Sequence, residues 1–273
     1  MSLQISNHAM NLRYFLKGSL TLALALITAS AWADHDELNP NISEIKPGDT
    51  VKVTKIPGTI YLRSQNDPDD LIWDRVPTYR TNLLAAPPVH QSVTLRFDEG
   101  AKRNKHLYFQ VARSDERLYV RLRWKDETED RGTTVDDFRD GVAVQYALKD
   151  VDTSYMMGTG KDQPVNIWYW HADQPQVENL AAGGFGSTTI LEQQSVTGSS
   201  AYVKQRIAKD NEWHVVMSRS YKPSDKYDVN FERKTVPMGF AVWQGSDNER
   251  DGNKRVTHTW IMLDTSVDNK PTK

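Results

Sequence analysis

Along most of the chain, apolar and polar residues alternate with a period of two, the pattern of strands that bury one face. The clearest run sets Leu118, Val120, Leu122 and Trp124 on one face against Tyr119, Arg121, Arg123 and Lys125 on the other. It is expected to pair with Leu107 to Ala112 across the hairpin turn Arg113-Ser114-Asp115-Glu116. Further strands are predicted over Val51 to Ile56, Thr59 to Leu62, Val93 to Phe97, Val142 to Leu148, Val165 to Trp170, Ala201 to Ile207, Trp213 to Ser218, Met238 to Gln244 and Val256 to Leu263. No long amphipathic helical pattern interrupts them. Turn signals such as Lys46-Pro47-Gly48-Asp49, Asn66-Asp67-Pro68 and Pro223-Ser224-Asp225 separate the runs. Short strands without alternating helices predict an all-β fold, an antiparallel β-sandwich of immunoglobulin-like or carbohydrate-module-like type. Residues 172–199, rich in Gly, Ser, Gln and Asn, and the polar residues 245–255 break the rhythm and are expected to be long loops.

The N-terminus follows a different pattern. Arg13 and Lys17 precede an apolar run from Leu20 to Ala29, and Ala31-Trp32-Ala33 closes it with small residues. That is the layout of a cleaved secretory signal peptide, and the run is too short to span a bilayer comfortably. Residues 1–33 are therefore expected to be removed on export to the periplasm, leaving residues 34–273 as a single domain without a membrane span. No arginine pair precedes the apolar run, which favours export in an unfolded state. Removing that segment takes away two cations and leaves 32 Lys+Arg against 36 Asp+Glu, a net charge of −4. Such a balance suggests neither nucleic acid nor anionic membrane as a partner. The chain has no cysteine. A disulfide, a thiolate-bound iron–sulfur cluster and covalent haem attachment through Cys-x-x-Cys-His are all excluded.

The usual catalytic signatures are missing: no Gly-x-Ser-x-Gly, no P-loop, no His-Glu-x-x-His and no dinucleotide fingerprint. His35, His90, His106, His171, His214 and His258 make no metal-type pair at short spacing. Of these, His171, after Trp168 and Trp170, is the one candidate ligand, or simply a polar strand end. Two local sequences stand out. Tyr155-Met156-Met157-Gly158-Thr159-Gly160 leads into Pro164-Val165-Asn166-Ile167-Trp168-Tyr169-Trp170, and tandem methionine is soft and polarisable. On a strand, just one of the two methionines would face a given side. Trp243-Gln244-Gly245-Ser246-Asp247 leads into Asp251-Gly252-Asn253-Lys254. By residue type alone, the methionines read as core filler and the lysine as a solvated charge.

A series of elements changes that weighing: Ile72-Trp73 with Val76-Pro77-Thr78-Tyr79, the strand Leu118 to Trp124, Asp136-Asp137-Phe138-Arg139-Asp140-Gly141-Val142-Ala143-Val144-Gln145, Met156-Met157-Gly158 with Pro164-Val165-Asn166-Ile167-Trp168-Tyr169-Trp170, Trp213-His214-Val215-Val216 with Arg219, and Gly239-Phe240-Ala241-Val242-Trp243-Gln244-Gly245. In their order along the chain they resemble the haem b (gamma) subunit of the periplasmic type II DMSO-reductase-family molybdoenzymes, typified by ethylbenzene dehydrogenase, dimethyl sulfide dehydrogenase, chlorate reductase and selenate reductase. The resemblance implies a β-sandwich that holds one non-covalent haem b between an axial methionine and an axial lysine. It implies docking on an iron–sulfur beta subunit beside a molybdopterin alpha subunit, and exchange of electrons with a periplasmic cytochrome c or similar redox partner. The family's catalysis belongs to another chain, so a non-catalytic electron-transfer subunit is expected here, in an oxyanion reductase of chlorate or selenate type or a related dehydrogenase.

Carried over by position, the methionine falls in Met156-Met157-Gly158, with Met157 preferred, and the lysine is Lys254, the only lysine in the loop after Trp243. Tyr155, Trp168, Trp170 and Trp243 either wall the haem or belong to plain sandwich core. A lysine ligates iron only as the neutral amine, so its surroundings must pull its pKa well below about 10.4. A thioether axial ligand raises the haem potential. With both axial positions filled, outer-sphere electron transfer is what remains. The rival expectation is an exported carbohydrate-binding β-sandwich that stacks sugars on exposed tryptophans.

Overall fold

The computed structural model describes residues 41–56, 66–89, 91–94, 105–132, 134 and 137–266. The first strands are β1 (Ile42–Glu44), β2 (Thr50–Lys52), β3 (Thr54–Lys55), β4 (Thr78–Ala85), β5 (Lys105–Arg113), β6 (Arg117–Lys125), β7 (Gly141–Ala147) and β8 (Val165–His171). They are followed by β9 (Val177–Ala182), β10 (Thr189–Ile190), β11 (Thr197–Val203), β12 (Glu212–Ser220), β13 (Thr235–Trp243), β14 (Arg255–Val256) and β15 (Ile261–Asp264). One sheet runs β4-β5-β6-β12-β11, and the other runs β10-β9-β8-β7-β13-β14. β4 joins the two: Tyr79 to Leu83 pair with β5, whereas Leu84 and Ala85 pair with β14. Pairing is antiparallel except at β1–β4, β3–β5 and β15–β2.

The inner faces are the ones the alternation marks. Phe109 and Val111 of β5, Leu118 to Trp124 at every second position of β6, and Trp213, Val215 and Met217 of β12 meet Val142, Val144 and Tyr146 of β7, Trp168 and Trp170 of β8 and Val236 to Val242 at every second position of β13. Each such large side chain contributes about 1.5–3 kcal/mol by leaving water. Trp124, Trp170 and Trp213 form a triangle with centroids 4.9–6.4 Å apart. Arg219 is buried there too, paired with Asp228 at 3.1 Å, and Asn179 Nδ2 donates to the same carboxylate at 2.8 Å. A buried charge without such partners would be strongly destabilising.

Several expected boundaries change. The expected loop 172–199 contains β9, β10 and the start of β11. Its polar residues hid the strand because they are satisfied in place: Asn179 bonds Asn166, Gln193 and Asp228 across neighbouring elements. The run Val256 to Leu263 is two strands rather than one, and Ala201 to Ile207 ends at Val203. β4 was not foreseen, since Arg80, Thr81 and Asn82 interrupt its alternation. Residues Gln91–Thr94 form one helical turn where the strand Val93 to Phe97 was expected, and that strand's last three residues lie outside the described residues. The expected strand Thr59 to Leu62, His90 and the expected signal peptide also lie outside them. Among the described residues no helix is long and apolar enough to cross a membrane.

Candidate functional site

A strand buries two different faces only if something covers the second, and the second sheet has such a face. On β8, Val165, Ile167 and Tyr169 point away from the inter-sheet core, as do Ala143, Gln145 and Ala147 on β7 and Ala241 and Trp243 on β13. The alanines keep this face low, and above it lies a cavity of about 590 Å³ bordered by Ala143, Ile167, Leu180, Phe240, Ala241 and Val256. That is the size of a cofactor site.

The first donor stands on a tight turn rather than a strand. Gly158 N–H donates to Ser154 O at 2.8 Å, Thr159 N–H to Gln163 O at 2.9 Å, and Gln145 Nε2 on β7 to Tyr155 O at 2.6 Å. Met157 lies in the left-handed region with φ 69°, an uncommon conformation for a side-chain-bearing residue. Its carbonyl accepts from Gly184 N–H at 2.7 Å, which helps hold it there. At Gly158, φ is 86° and a Cβ would lie 2.6 Å from Gln163 O, so glycine is required. Leaving the strand geometry has a consequence: the side chains of both Met156 and Met157 border the cavity.

The second donor comes from the loop between β13 and β14. Gly245 N–H donates to Asp140 Oδ1 at 2.9 Å, and any Cβ at Gly245 would collide with the carbonyl of Phe138. Asp140 Oδ2 also accepts from Asp130 N–H and Trp213 Nε1, at 2.8 and 3.0 Å. Farther along, Trp243 Nε1 donates to Asp251 O at 3.1 Å and Ala86 N–H to Lys254 O at 2.8 Å. Thus braced, Lys254 places Nζ 4.7 Å from the Trp243 ring centroid and 4.0 Å from Met157 Sδ. Burial pulls the Lys254 ammonium down from 10.5 to about 8, opposed by the Asp251 carboxylate.

The donor set suits iron in a haem. An amine and a thioether lie 4.0 Å apart at the cavity, a pair that could together hold the iron of such a group. Ala143, Ile167, Leu180, Phe240, Ala241 and Val256 give the wall an apolar stretch against which a macrocycle could lie, and burial of Lys254 shifts its balance toward the neutral amine that can ligate.

Tyr155, Met156, Met157, Trp243 and Lys254 are thus brought together at one cavity. Trp168 and Trp170 are not: both are fully buried in the inter-sheet core, because they occupy the inward positions of β8. Their expected place at the cavity wall is taken by the alternate residues Ile167 and Tyr169. His171 does not border the cavity; Nδ1 bonds Asp173 and Nε2 lies 2.8 Å from Gln174 Nε2. Arg139, Gln145, Phe185 and Ile190 border the cavity and were not foreseen. Arg139 and Gln145 both stand inside the Asp136-to-Gln145 motif, which was the available signal.

A family model described as ethylbenzene dehydrogenase matches residues 70–205. The chain is 50% identical over 238 residues to the dimethylsulfide dehydrogenase subunit gamma of Rhodovulum sulfidophilum, covering 86% of this chain and 89% of the relative. It is 35% identical over 199 residues to the chlorate reductase subunit gamma of Ideonella dechloratans, covering 72% and 78%. A Haloferax mediterranei protein named as a haem subunit of a respiratory nitrate reductase is 35% identical over 192 residues, covering 70% and 65%. Among solved structures, a family 9 carbohydrate-binding module from Caldicellulosiruptor kristjanssonii, in complex with glucose, superposes with TM-score 0.42 at 14% identity, covering 82% of this chain and all of that one. Likeness at that level bears on no ligand.

Proposed function

The chain belongs to the ethylbenzene dehydrogenase family, among the haem b gamma subunits of type II DMSO-reductase-family molybdoenzymes, and from that premise we propose that it holds one non-covalent haem b between Met157 and Lys254. It is an electron-transfer subunit of a multi-subunit enzyme complex, a function favoured over sugar binding by the relatives that share most of its length. The observation that carries the axial assignment is the 4.0 Å approach of Lys254 Nζ to Met157 Sδ at the edge of this cavity.

When bound, the haem supplies a one-electron couple at its iron. What the chain contributes is placement. The turn at Ser154–Gly160 fixes the thioether, the loop braced on Asp140 fixes the amine, and Ala143 and Ala241 leave room for a flat ring. Burial lowers the cost of deprotonating the Lys254 ammonium to the neutral amine that could ligate. Two protein donors leave no open position for a substrate, which supports a non-catalytic role.

Without cysteine the chain cannot carry a thiolate-bound cluster, so the relay continues on an iron–sulfur beta subunit and from it to a molybdopterin alpha subunit. A periplasmic cytochrome c or similar carrier is the external partner. Residues 1–33 serve as the export signal and residues 34–273 as the single haem domain. The 50% identity to the gamma subunit of a dehydrogenase, against 35% to that of a reductase, favours a dehydrogenase in which this chain passes electrons outward. The oxyanion reductase expected from the sequence is the second reading.

The test is the absorption spectrum of the exported protein, oxidised and dithionite-reduced, with a pyridine haemochrome assay. A low-spin b-type spectrum near one haem per chain is expected; a folded, colourless protein would overturn the proposal. Lys254→Ala is expected to give five-coordinate iron with a shifted Soret band. Met157→Leu is expected to lower the midpoint potential, and Met156→Leu to leave it in place; the reverse pattern would reassign the sulfur ligand.

A further inference from the structure

A haem carries two carboxylates as well as an apolar ring, and burying a carboxylate unpaired is costly. Its partner is therefore sought among the cations that border the cavity. Among the described residues these are Lys254 and Arg139, and on the haem reading Lys254 is taken by the iron. Arg139 stands at the other kind of place. Its side chain is 35% exposed, so it sits where the cavity meets solvent, the end at which charged groups keep part of their hydration.

Arg139 is also held in position. Nη1 bonds Asp173 Oδ2 at 2.6 Å, and the other oxygen of Asp173 bonds His171 Nδ1. The half-buried Tyr169, itself on the cavity wall, lies within electrostatic reach of the same guanidinium. A guanidinium has five N–H donors, and these contacts leave some of them to spare. Two acids border the cavity as well, Glu178 and Asp251. Glu178 Oε1 is contacted by Gln174 Nε2 at 3.3 Å and lies 3.5 Å from His171 Nε2. Asp251 flanks the lysine loop. Both repel a second carboxylate, which makes the guanidinium the favourable landing place among the described residues of this wall.

Resting on the haem reading above, we propose that Arg139 is the anchor for a carboxylate of the bound porphyrin, with Asp173 as the positioning residue that aims the guanidinium. A planar fork matches a carboxylate in shape as well as charge, so one anchor also fixes which way the ring faces in its slot.

The test uses the protein freed of haem and titrated with hemin or with hemin dimethyl ester, whose carboxylates are blocked, following the Soret band. Wild-type protein is expected to prefer hemin about tenfold, the scale of one charge-assisted hydrogen bond. Arg139→Gln is expected to abolish that preference by lowering hemin affinity to the ester's level while the ester's own affinity holds. Arg139→Lys, which keeps the charge, is expected to restore part of it. An undiminished preference in Arg139→Gln would overturn the anchor while leaving the haem reading intact. Failure of both porphyrins to give a low-spin Soret band with wild-type protein would overturn the haem reading, and the anchor with it.

Discussion

The two sheets of this sandwich bury similar inner faces but differ in their outer ones. The outer face of the β5-β6-β12 sheet is laced with charge: Arg121 approaches Asp69 at 3.7 Å, Arg123 approaches Glu212 at 3.5 Å, and Lys125 approaches Asp210 at 3.4 Å. Where that face is covered, Ile72 and Trp73 of the short turn Leu71–Arg75 do it directly, tied down by Gln110 Nε2 donating to Trp73 O and Val76 O at 2.7 Å. The outer face of the β7-β8-β13 sheet carries alanine, isoleucine and tyrosine where the other has arginine, and its cover is a frame of loops around a cavity. One face is finished by the chain itself. The other, among the described residues, is left open as a cavity.

Four substitutions test that contrast, taken from the largest expected effect to the smallest. Trp170→Ala removes a fully buried indole from the inner face and is expected to destabilise the haem-free protein by about 3–5 kcal/mol in denaturant unfolding. A loss near that of an outer-face substitution would show that Trp170 is not core. Gly158→Ala forces a Cβ against Gln163 O at positive φ, with an expected cost of about 1–3 kcal/mol and displacement of Met157, read as a changed axial spectrum. A normal spectrum would mean that the turn does not position the thioether.

Ala143→Leu builds into the cavity from its floor. Haem affinity is expected to fall by about tenfold or more while the unfolding free energy of the haem-free chain changes by less than about 1.5 kcal/mol. Equal losses in both would make the outer face ordinary core.

The smallest effect lies on the charged sheet. Burial acts to raise the Glu212 carboxyl, but the His214 hydrogen bond at 2.9 Å and the charge of Arg123 outweigh it and hold the group below its usual range. Its folded pKa is below its unfolded one, so the stabilisation is present above the ordinary carboxylate range and is lost as pH falls through the folded value. Glu212→Gln is expected to flatten the acid limb of the stability curve below about pH 5 without altering haem affinity, measured by unfolding at stepped pH.

Period-two alternation made the inner faces legible, because burial between sheets demands an apolar residue at every second position; β6 and β7 appear close to where the alternation puts them. At Trp168 and Trp170 the sequence left cavity wall and plain core both open; the parity of β8 turns them inward, into the core, and turns Ile167 and Tyr169 out. Arg139 escaped notice because an arginine beside aspartates reads as surface charge until the fold places it on a cavity rim.

By itself, then, the sequence determined the sandwich, through local periodicity and turn chemistry, and the residue types able to serve as donors, through composition and motif order. Only the tertiary structure decided that Met157 and Lys254, 97 residues apart, meet. It also decided that they meet outside the sandwich, on the back of one sheet. The reason is physical: strand parity is written residue by residue, but the approach of a turn after β7 to a loop after β13 depends on the pairing of those strands and on the bonds at Asp140, Gln145 and Gly184 that brace each segment.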